Sequence, residues 1–320
     1  MLASTIVDGA VDWRAWPDPV PGETDLLIRV HAAGLCRGDL MQRQGLYLPP
    51  PGTTPPELPG LELAGEVQAI GPACQRFAVG DRVMAVVPGA GQSALATVSE
   101  LVAMPVPEGV SSAKAGGFPE NYTTAHDALF TQCGLSVGER VCIHGAAGGV
   151  GTAATELAVA AGCEVVATVR DEALRDAVTR LGATVVDPAE FTGAGPFDVI
   201  LELVGAPNMT ANLASLATGG RIAIIGVGAG ATFEMNLFEL MRTRGRIHGS
   251  TLRARPLEDK ARVARAVERH VLPLLANGRL TVPIAATYPF ADVAAAYERF
   301  ERGGKFGKIV LVADDPKGES

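Results

Sequence analysis

Apolar positions along the chain change their spacing once, near Tyr122. Before it, short β-rich runs are cut by Gly and Pro: Leu26 to Val30, Leu63 to Val67, Asp81 to Val87 and Ala94 to Val98. Brief strands separated this way predict a small antiparallel barrel or sandwich. The stretch Pro49 to Gly60 carries six prolines. That composition suits either an interdomain linker or a long loop, and strand-like segments of the same style on both sides favour the loop. After Tyr122, strands alternate with helical stretches, the pattern of βαβ units around a parallel sheet. The strands are Val141 to His144, Glu164 to Val169, Thr184 to Val186, Val199 to Leu203, Arg221 to Gly226 and Arg246 to Ser250. Helices are expected over Thr152 to Ala161, Glu172 to Leu181, Met209 to Ala217 and Leu237 to Thr243, then one long helix from Leu257 to Ala276. A closing helix (Val293 to Arg302) and strand (Lys308 to Val312) are expected to return to the first domain. The predicted class is α/β, with a β-rich domain over 1–118 completed by 287–320 and a doubly wound parallel-sheet domain over 119–286.

Within the second region, His144-Gly145-Ala146-Ala147-Gly148-Gly149-Val150-Gly151 follows the apolar strand directly and precedes an Ala-rich helix. Small residues there let the backbone turn tightly and approach a pyrophosphate. The helix that follows offers unpaired N–H groups and a positive dipole end. By itself the turn could be no more than a tight strand-to-helix connection; the βαβ units around it favour a dinucleotide site. The next strand ends Val169-Arg170-Asp171. An acid at that place binds the ribose hydroxyls of NAD, whereas an Arg favours the 2′-phosphate of NADP. Asp171 reads as the N-cap of the following helix, so Arg170 is assigned to the phosphate and NADPH is preferred over NADH. A solvated Arg beside a capping Asp is the alternative.

Composition narrows the picture further. Of 320 residues, 48% are hydrophobic and 19% charged, enough for two ordinary cores. The 38 glycines are well above the usual share of about 7% and agree with many tight turns. A net charge of −8 leaves no electrostatic footprint for nucleic acid or an anionic membrane. No stretch reaches the ~20 apolar residues of a membrane span, and the N-terminus lacks a basic start with an apolar run, so a cytoplasmic protein is expected. The five cysteines (Cys36, Cys74, Cys133, Cys142, Cys163) are odd in number and form no C-x-x-C pair. They are expected to be reduced thiols.

Three stretches carry a family likeness: Asp39 to Tyr47 with the Pro-rich loop after it, Gly60-Leu61-Glu62 onward to Gly65, and Gly145 to Gly151. Through them the whole chain resembles the zinc-independent quinone oxidoreductases of the medium-chain dehydrogenase/reductase superfamily, zeta-crystallin among them. The tumour-suppressor-inducible quinone oxidoreductase subgroup is the nearest likeness, sharing the run Leu40 to Tyr47, the Pro49 to Gly52 turn and Gly307-Lys308-Ile309-Val310. The resemblance implies a GroES-like catalytic domain, a Rossmann cofactor domain, a cleft between them holding the nicotinamide, and a homodimer joined through the cofactor domains. Carried over, Thr124 lies near the nicotinamide, and Gly145, Gly148, Gly149, Val150 and Gly151 line the pyrophosphate. Gly226 and Val227 flank the ring, Lys308 faces the cofactor, and Tyr47 lines the substrate pocket. Two departures stand out: Cys36 where many relatives carry Asn, and no Tyr around Pro188 for the adenosine end.

Gly34 to Asp39 also resembles the first zinc-ligand segment of zinc alcohol dehydrogenases. The next ligand of that family, a His before Glu, is Leu61 before Glu62 here, the third position holds Glu120, and the four-Cys lobe is missing. Cys36 alone cannot hold a metal that needs three protein ligands, so no zinc is expected. Cys36 is then a pocket-wall residue or a reactive thiol. Without a metal to polarise a carbonyl, the substrate must accept hydride readily, as quinones and α,β-unsaturated carbonyls do. Tyr47 is the candidate hydrogen-bond donor to such a substrate, the alternative being a packing residue. His31, His126, His144, His248 and His270 form no triad with Ser and Asp and read as structural. An enone or enoyl C=C reductase, or an NADPH-binding sensor or structural protein without turnover, are the competing functions.

Overall fold

Asp8 and Gly9 both take positive φ, 48° and 78°, the geometry of a two-residue hairpin turn. The chain accordingly opens as an antiparallel hairpin, β1 (Leu2–Val7) and β2 (Ala10–Ala15). The computed structural model describes residues 1–313. After the hairpin come β3 (Asp25–Gly34), α1 (Arg37–Arg43), β4 (Glu62–Ile70), β5 (Arg82–Val86), β6 (Leu95–Ser99) and β7 (Met104–Pro105). Alternation along β3 turns Leu26, Ile28 and Val30 inward, as a strand with one face on a core requires. β3 pairs antiparallel with both β4 and β6, and β4 with β5. The Pro-rich stretch after α1 forms no strand or helix, as the loop reading expects.

Two short helices, α2 (Ser112–Gly117) and α3 (Pro119–His126), and a π-helical turn over Asp127–Gln132 lead to the second region. Ser111 caps α2 by accepting from Lys114 N. There follow β8 (Arg140–Ile143), α4 (Gly149–Ala160), β9 (Glu164–Thr168), α5 (Arg175–Thr179), β10 (Thr184–Val186), β11 (Phe197–Glu202), α6 (Ala206–Ala214), β12 (Leu216–Ile224), α7 (Leu237–Thr243) and β13 (Arg246–Gly249). Among the described residues β8 to β13 make a six-stranded sheet in the order β10-β9-β8-β11-β12-β13, every pair parallel. All six strands expected from the sequence are present. The order reverses between β8 and β11, the switch point at which such sheets bind ligands beyond the carboxyl ends of their strands. Cys142, Ile200, Ile222, Phe191 and Phe197 fill one side of this sheet.

The chain continues as α8 (Leu257–His270), α9 (Leu272–Ala276), β14 (Ile284–Pro289), α10 (Val293–Glu301) and β15 (Lys308–Val312). β15 pairs with β14 and antiparallel with β3, so the C-terminal segment completes the first sheet. Phe290, Val293, Ala296 and Tyr297 share its core with Leu26, Ile28, Leu63 and Val83. Two units result among the described residues: 1–123, 252–303 and 308–313 form the first, 124–251 and 304–307 the second.

Three expectations change. The segment 252–286 belongs with the first unit and not the parallel-sheet domain. Buried Val263 and Val267 on α8 are the reason, together with Arg265 Nη2 donating to Ala103 O at 2.6 Å and an Arg76–Glu268 ion pair of 3.2 Å. The long helix from Leu257 to Ala276 is two, because Pro273 stands in the first turn of α9 and has no N–H to continue the ladder. Likewise Glu172 to Leu181 divides into a 3-10 turn and α5. Residues 314–320 of the expected C-terminal completion lie outside the described residues.

Candidate active site

At the carboxyl end of β8 the chain turns through Gly145 at φ +62° and enters α4 with Gly148 as N-cap. Gly148 N donates to Gly145 O at 3.1 Å and Ala146 N to Thr168 O at 3.2 Å, closing the turn over the sheet. A Cβ on Gly151 would lie 2.5 Å from Gly145 O and 2.6 Å from Ala146 Cα. No larger side chain fits there, so the helix start and the turn stack backbone on backbone. The close approach puts the first-turn N–H groups of α4 at the mouth of the turn, the arrangement a pyrophosphate needs. Gly149 and Val150 supply part of that first turn.

Two further loops border the same sheet edge. Gly226, just past β12, packs its backbone against Leu203, and Val227 beside it is 45% exposed. Thr124 has a buried Oγ1 with no hydrogen-bond partner among the described residues, the kind of orphan that a bound polar group satisfies. Arg170 is exposed directly beyond β9. Asp171 next to it caps the 3-10 turn by accepting from Ala173 N at 3.1 Å. The glycine-rich turn fits a dinucleotide pyrophosphate.

A buried polar chain, unforeseen in the sequence, fixes these loops. His144 ring nitrogens lie 3.1 Å from Thr168 Oγ1 and 2.8 Å from Asn212 Oδ1. Asn212 Nδ2 donates to Glu202 Oε2 at 2.7 Å, and Glu202 Oε1 accepts from Val204 N and Gly205 N. Burial lowers the His144 pKa against the pull of Glu202. The neutral ring then joins the tips of β8, β9 and β11.

The first unit gathers its own polar group. Tyr47 is partly buried, and Arg253 lies with its guanidinium carbon 4.9 Å from the Tyr47 ring centroid. Arg253, 4% exposed, donates to Pro88 O at 2.7 Å, to Tyr47 O, and to Gln42 Oε1 at 2.6 Å. Gln42 in turn donates to Pro56 O and Leu58 O at 2.9 and 3.1 Å, tethering the Pro-rich loop. No described residue hydrogen-bonds the Tyr47 hydroxyl. Burial and Glu120 push its pKa up to about 12, so it stays protonated and available as a donor.

Behind Tyr47 stand Cys36, Asp39, Glu62, Glu120 and Lys308. Asp39 accepts from Cys36 N at 2.8 Å and Gly60 N at 3.0 Å. Burial raises its pKa, and these two N–H groups counter part of that rise. Glu62 Oε1 forms an ion pair with Lys308 Nζ, both side chains enclosed, and Glu62 Oε2 accepts from Glu120 N at 2.8 Å. Burial pulls the Lys308 pKa down, but Glu62 and the neighbouring acids outweigh it, leaving the ammonium charged. Lys308 is therefore committed to Glu62, a partner the sequence did not suggest. Burial and then Asp39 and Glu120 push the Cys36 thiol well above its usual range. Such a thiol forms little thiolate, which argues for the pocket-wall reading of Cys36 over the reactive thiol.

The donors do not fit a resident zinc. Leu61, 3% exposed, offers no lone pair at the second position, and Glu62 is occupied by Lys308. Among the described residues no three His, Cys, Asp or Glu side chains converge as a metal set. Arg253, Glu62, Asp39 and Gln42 are the functional-site residues that sequence reading missed. Arg253 and Gln42 stand 211 residues apart, and Asp39, Gln42 and Glu62 lie inside the family-like stretches, which give them no role by themselves.

Residues 22–133 match the family described as alcohol dehydrogenase GroES-like domain, and residues 149–269 the family described as zinc-binding dehydrogenase. Human quinone oxidoreductase is 31% identical over 308 residues, covering 92% of this chain and 91% of that one. The human synaptic vesicle membrane protein VAT-1 homolog-like is 30% identical, covering 93% of this chain and 76% of its own length. Among solved structures, a mycobacterial protein complexed with NADPH superposes with a TM-score of 0.84 at 26% identity, covering 98% of this chain and 100% of that one. The Pseudomonas syringae quinone oxidoreductase gives 0.83 at 25% identity, with 98% and 100% covered. Similarity of this extent, carried by both a GroES-like and a Rossmann-type unit, makes the chain a member of the quinone oxidoreductase family of medium-chain dehydrogenases/reductases.

Proposed function

We propose that the protein is an NADPH-dependent oxidoreductase that reduces quinones, working without zinc. The observation that carries this reading is the glycine-rich turn Gly145–Gly151, closed backbone on backbone, at the switch point of a six-stranded parallel sheet. Gly149, Val150 and Gly151 would hold the pyrophosphate through the N–H groups of the first helical turn, with Gly145 and Gly148 shaping the turn that presents them. Arg170 would take the 2′-phosphate. Its neighbour Asp171 is engaged in capping, which disfavours it as the acceptor for a ribose diol. Thr124 Oγ1, Gly226 and Val227 would meet the nicotinamide end. When bound, NADPH supplies hydride to the acceptor.

The chain's own contribution is to bind, orient and polarise the acceptor. Tyr47, with its free hydroxyl kept protonated, donates a hydrogen bond to the oxygen on which negative charge collects. Arg253 fixes Tyr47 through its backbone carbonyl and ring face. Conjugated acceptors are favoured because they spread the incoming charge onto an oxygen, which makes a metal unnecessary. The donor set around Cys36 supports the zinc-free assignment. On α7, Leu237, Phe238 and Met241 are 62%, 67% and 70% exposed, an apolar face that agrees with a homodimer joined through the cofactor unit.

The test is NADPH oxidation against 1,2- and 1,4-quinones, enals and enoyl thioesters at fixed enzyme concentration. Quinones are expected to give the highest kcat/KM. A preference for enoyl thioesters would replace quinone reduction by C=C reduction, and tight NADPH binding without turnover on any acceptor would make the protein a sensor.

A further inference from the structure

We propose that Glu120 is a catalytic acid, its carboxyl group donating the proton that completes reduction of the acceptor. The inference rests on the oxidoreductase reading above and assigns a step that Tyr47 does not perform. The other charged groups in the cluster are engaged, and the Tyr47 hydroxyl, though unpartnered among the described residues, is too weak an acid for the step. Lys308 is paired with Glu62, Asp39 is held by two backbone N–H groups, and three of the Arg253 nitrogens donate to Pro88, Tyr47 and Gln42. Glu120 alone among the cluster's carboxylates has no hydrogen-bond donor on its side chain among the described residues. Its backbone N–H, at the first turn of α3, goes to Glu62 Oε2 at 2.8 Å. The side chain is partly buried and not sealed, so it can reach a ligand.

One ammonium serves two neighbouring carboxyl groups; burial raises the pKa of both, and the contacts favour Glu62 as the one that carries the charge. Glu62 contacts Lys308 and takes the N–H of Glu120; Glu120 receives neither. A position in the first turn of a helix would favour its anion, but burial and the charge of Glu62 win, raising its pKa to about 8. The groups that face it are Glu62 on β4, Lys308 on β15, Asp39 on α1, Arg253 ahead of α8, and Tyr47 and Cys36 on either side of α1. An acid near the working pH is the kind that general acid catalysis uses.

The step balances as follows. The acceptor gains hydride, two electrons and one hydrogen, and a quinone becomes a hydroquinone monoanion. The O–H bond of Glu120 breaks, a new O–H bond forms on the monoanion, and the carboxylate left behind takes a proton from water. A phenol-like oxygen, with an ordinary pKa of about 10, accepts that proton downhill from Glu120. Tyr47, at about 12, is too weak an acid for this and serves to orient.

The experiment measures kcat against pH with NADPH and a 1,4-naphthoquinone, in H2O and D2O, for the wild type and Glu120→Gln, with NADPH affinity as the control for folding. Wild-type kcat is expected to fall above about pH 8 and to show a solvent isotope effect. Glu120→Gln is expected to lose about 100-fold in kcat, the limb and the isotope effect, with NADPH Kd unchanged. An active wild type whose profile is flat through pH 8, or a Glu120→Gln enzyme with the wild-type rate or limb, overturns the assignment and leaves the oxidoreductase reading intact. A wild type inactive with every acceptor overturns that reading itself. Should Glu120→Gln fail to bind NADPH, Glu120→Asp is read instead: a displaced limb supports the acid and an unmoved one refutes it.

Discussion

Arg170 and Asp171 stand side by side beyond β9, and Asp171 is held by capping the turn that follows through its Oδ1, which favours Arg170 as the ligand contact. Replacing Arg170 with Ala should raise KM for NADPH by roughly 10- to 100-fold, the loss of one or two charge-assisted hydrogen bonds, and leave KM for NADH nearly unchanged. Equal effects in parallel NADPH and NADH kinetics would remove Arg170 from the phosphate site. Tyr47→Phe keeps the ring under Arg253 and removes only the donor, so kcat should fall about 10-fold or more while NADPH affinity holds; an unchanged kcat would make Tyr47 a packing residue. Glu120 has a consequence for stability as well. Its pKa is raised from 4.5 to about 8 in the folded protein. The unfolded chain therefore releases that proton first, and stability falls as pH rises through this window. Thermal unfolding of Glu120→Gln from pH 5 to 8 should show a smaller decline than the wild type.

The buried Glu62–Lys308 pair joins β4 to β15 and so ties the C-terminal strand into the first unit. Lys308→Met would leave an uncompensated enclosed carboxylate and should cost about 3–5 kcal/mol in denaturant unfolding. Glu62→Gln with Lys308→Met should recover much of that loss, and the single variant's deficit should grow as pH rises, since protonated Glu62 carries no charge to bury. A loss that persists in the double variant would make packing, and not charge, the main term. Elements differ in how far local sequence determines them. The strands β8 to β13 were legible because each is a short apolar run ended by a turn. Asp8-Gly9 carried a hairpin signal that was overlooked, and Pro273 a helix break that the amphipathic spacing around it concealed. Nothing local announces Arg253, whose partners Gln42 on α1 and Tyr47 and Pro88 in loops stand more than 160 residues earlier. The roles of Glu62, Glu120 and Lys308 were hidden for the same reason. A carboxylate reads as a solvated charge until tertiary structure encloses it.

Taken together, the chain combines a cofactor unit whose site is written in one contiguous turn with a second unit whose polar pocket is assembled from distant segments. The exposed Leu237, Phe238 and Met241 on α7 bear on assembly. Sedimentation should give a particle of twice the chain mass, and Phe238→Asp with Met241→Asp should shift it toward the monomer. A wild-type monomer would assign that apolar face another purpose. No helix among the described residues is long and apolar enough to cross a membrane. The central claim is that hydride reaches a conjugated acceptor in a pocket that uses protein donors where zinc enzymes use a metal. Its most direct test is NADPH oxidation by a 1,4-quinone after exhaustive chelation, with zinc content measured on the same sample. Full turnover with far less than one zinc per chain is the predicted result; activity that disappears on chelation and returns with stoichiometric zinc would contradict it.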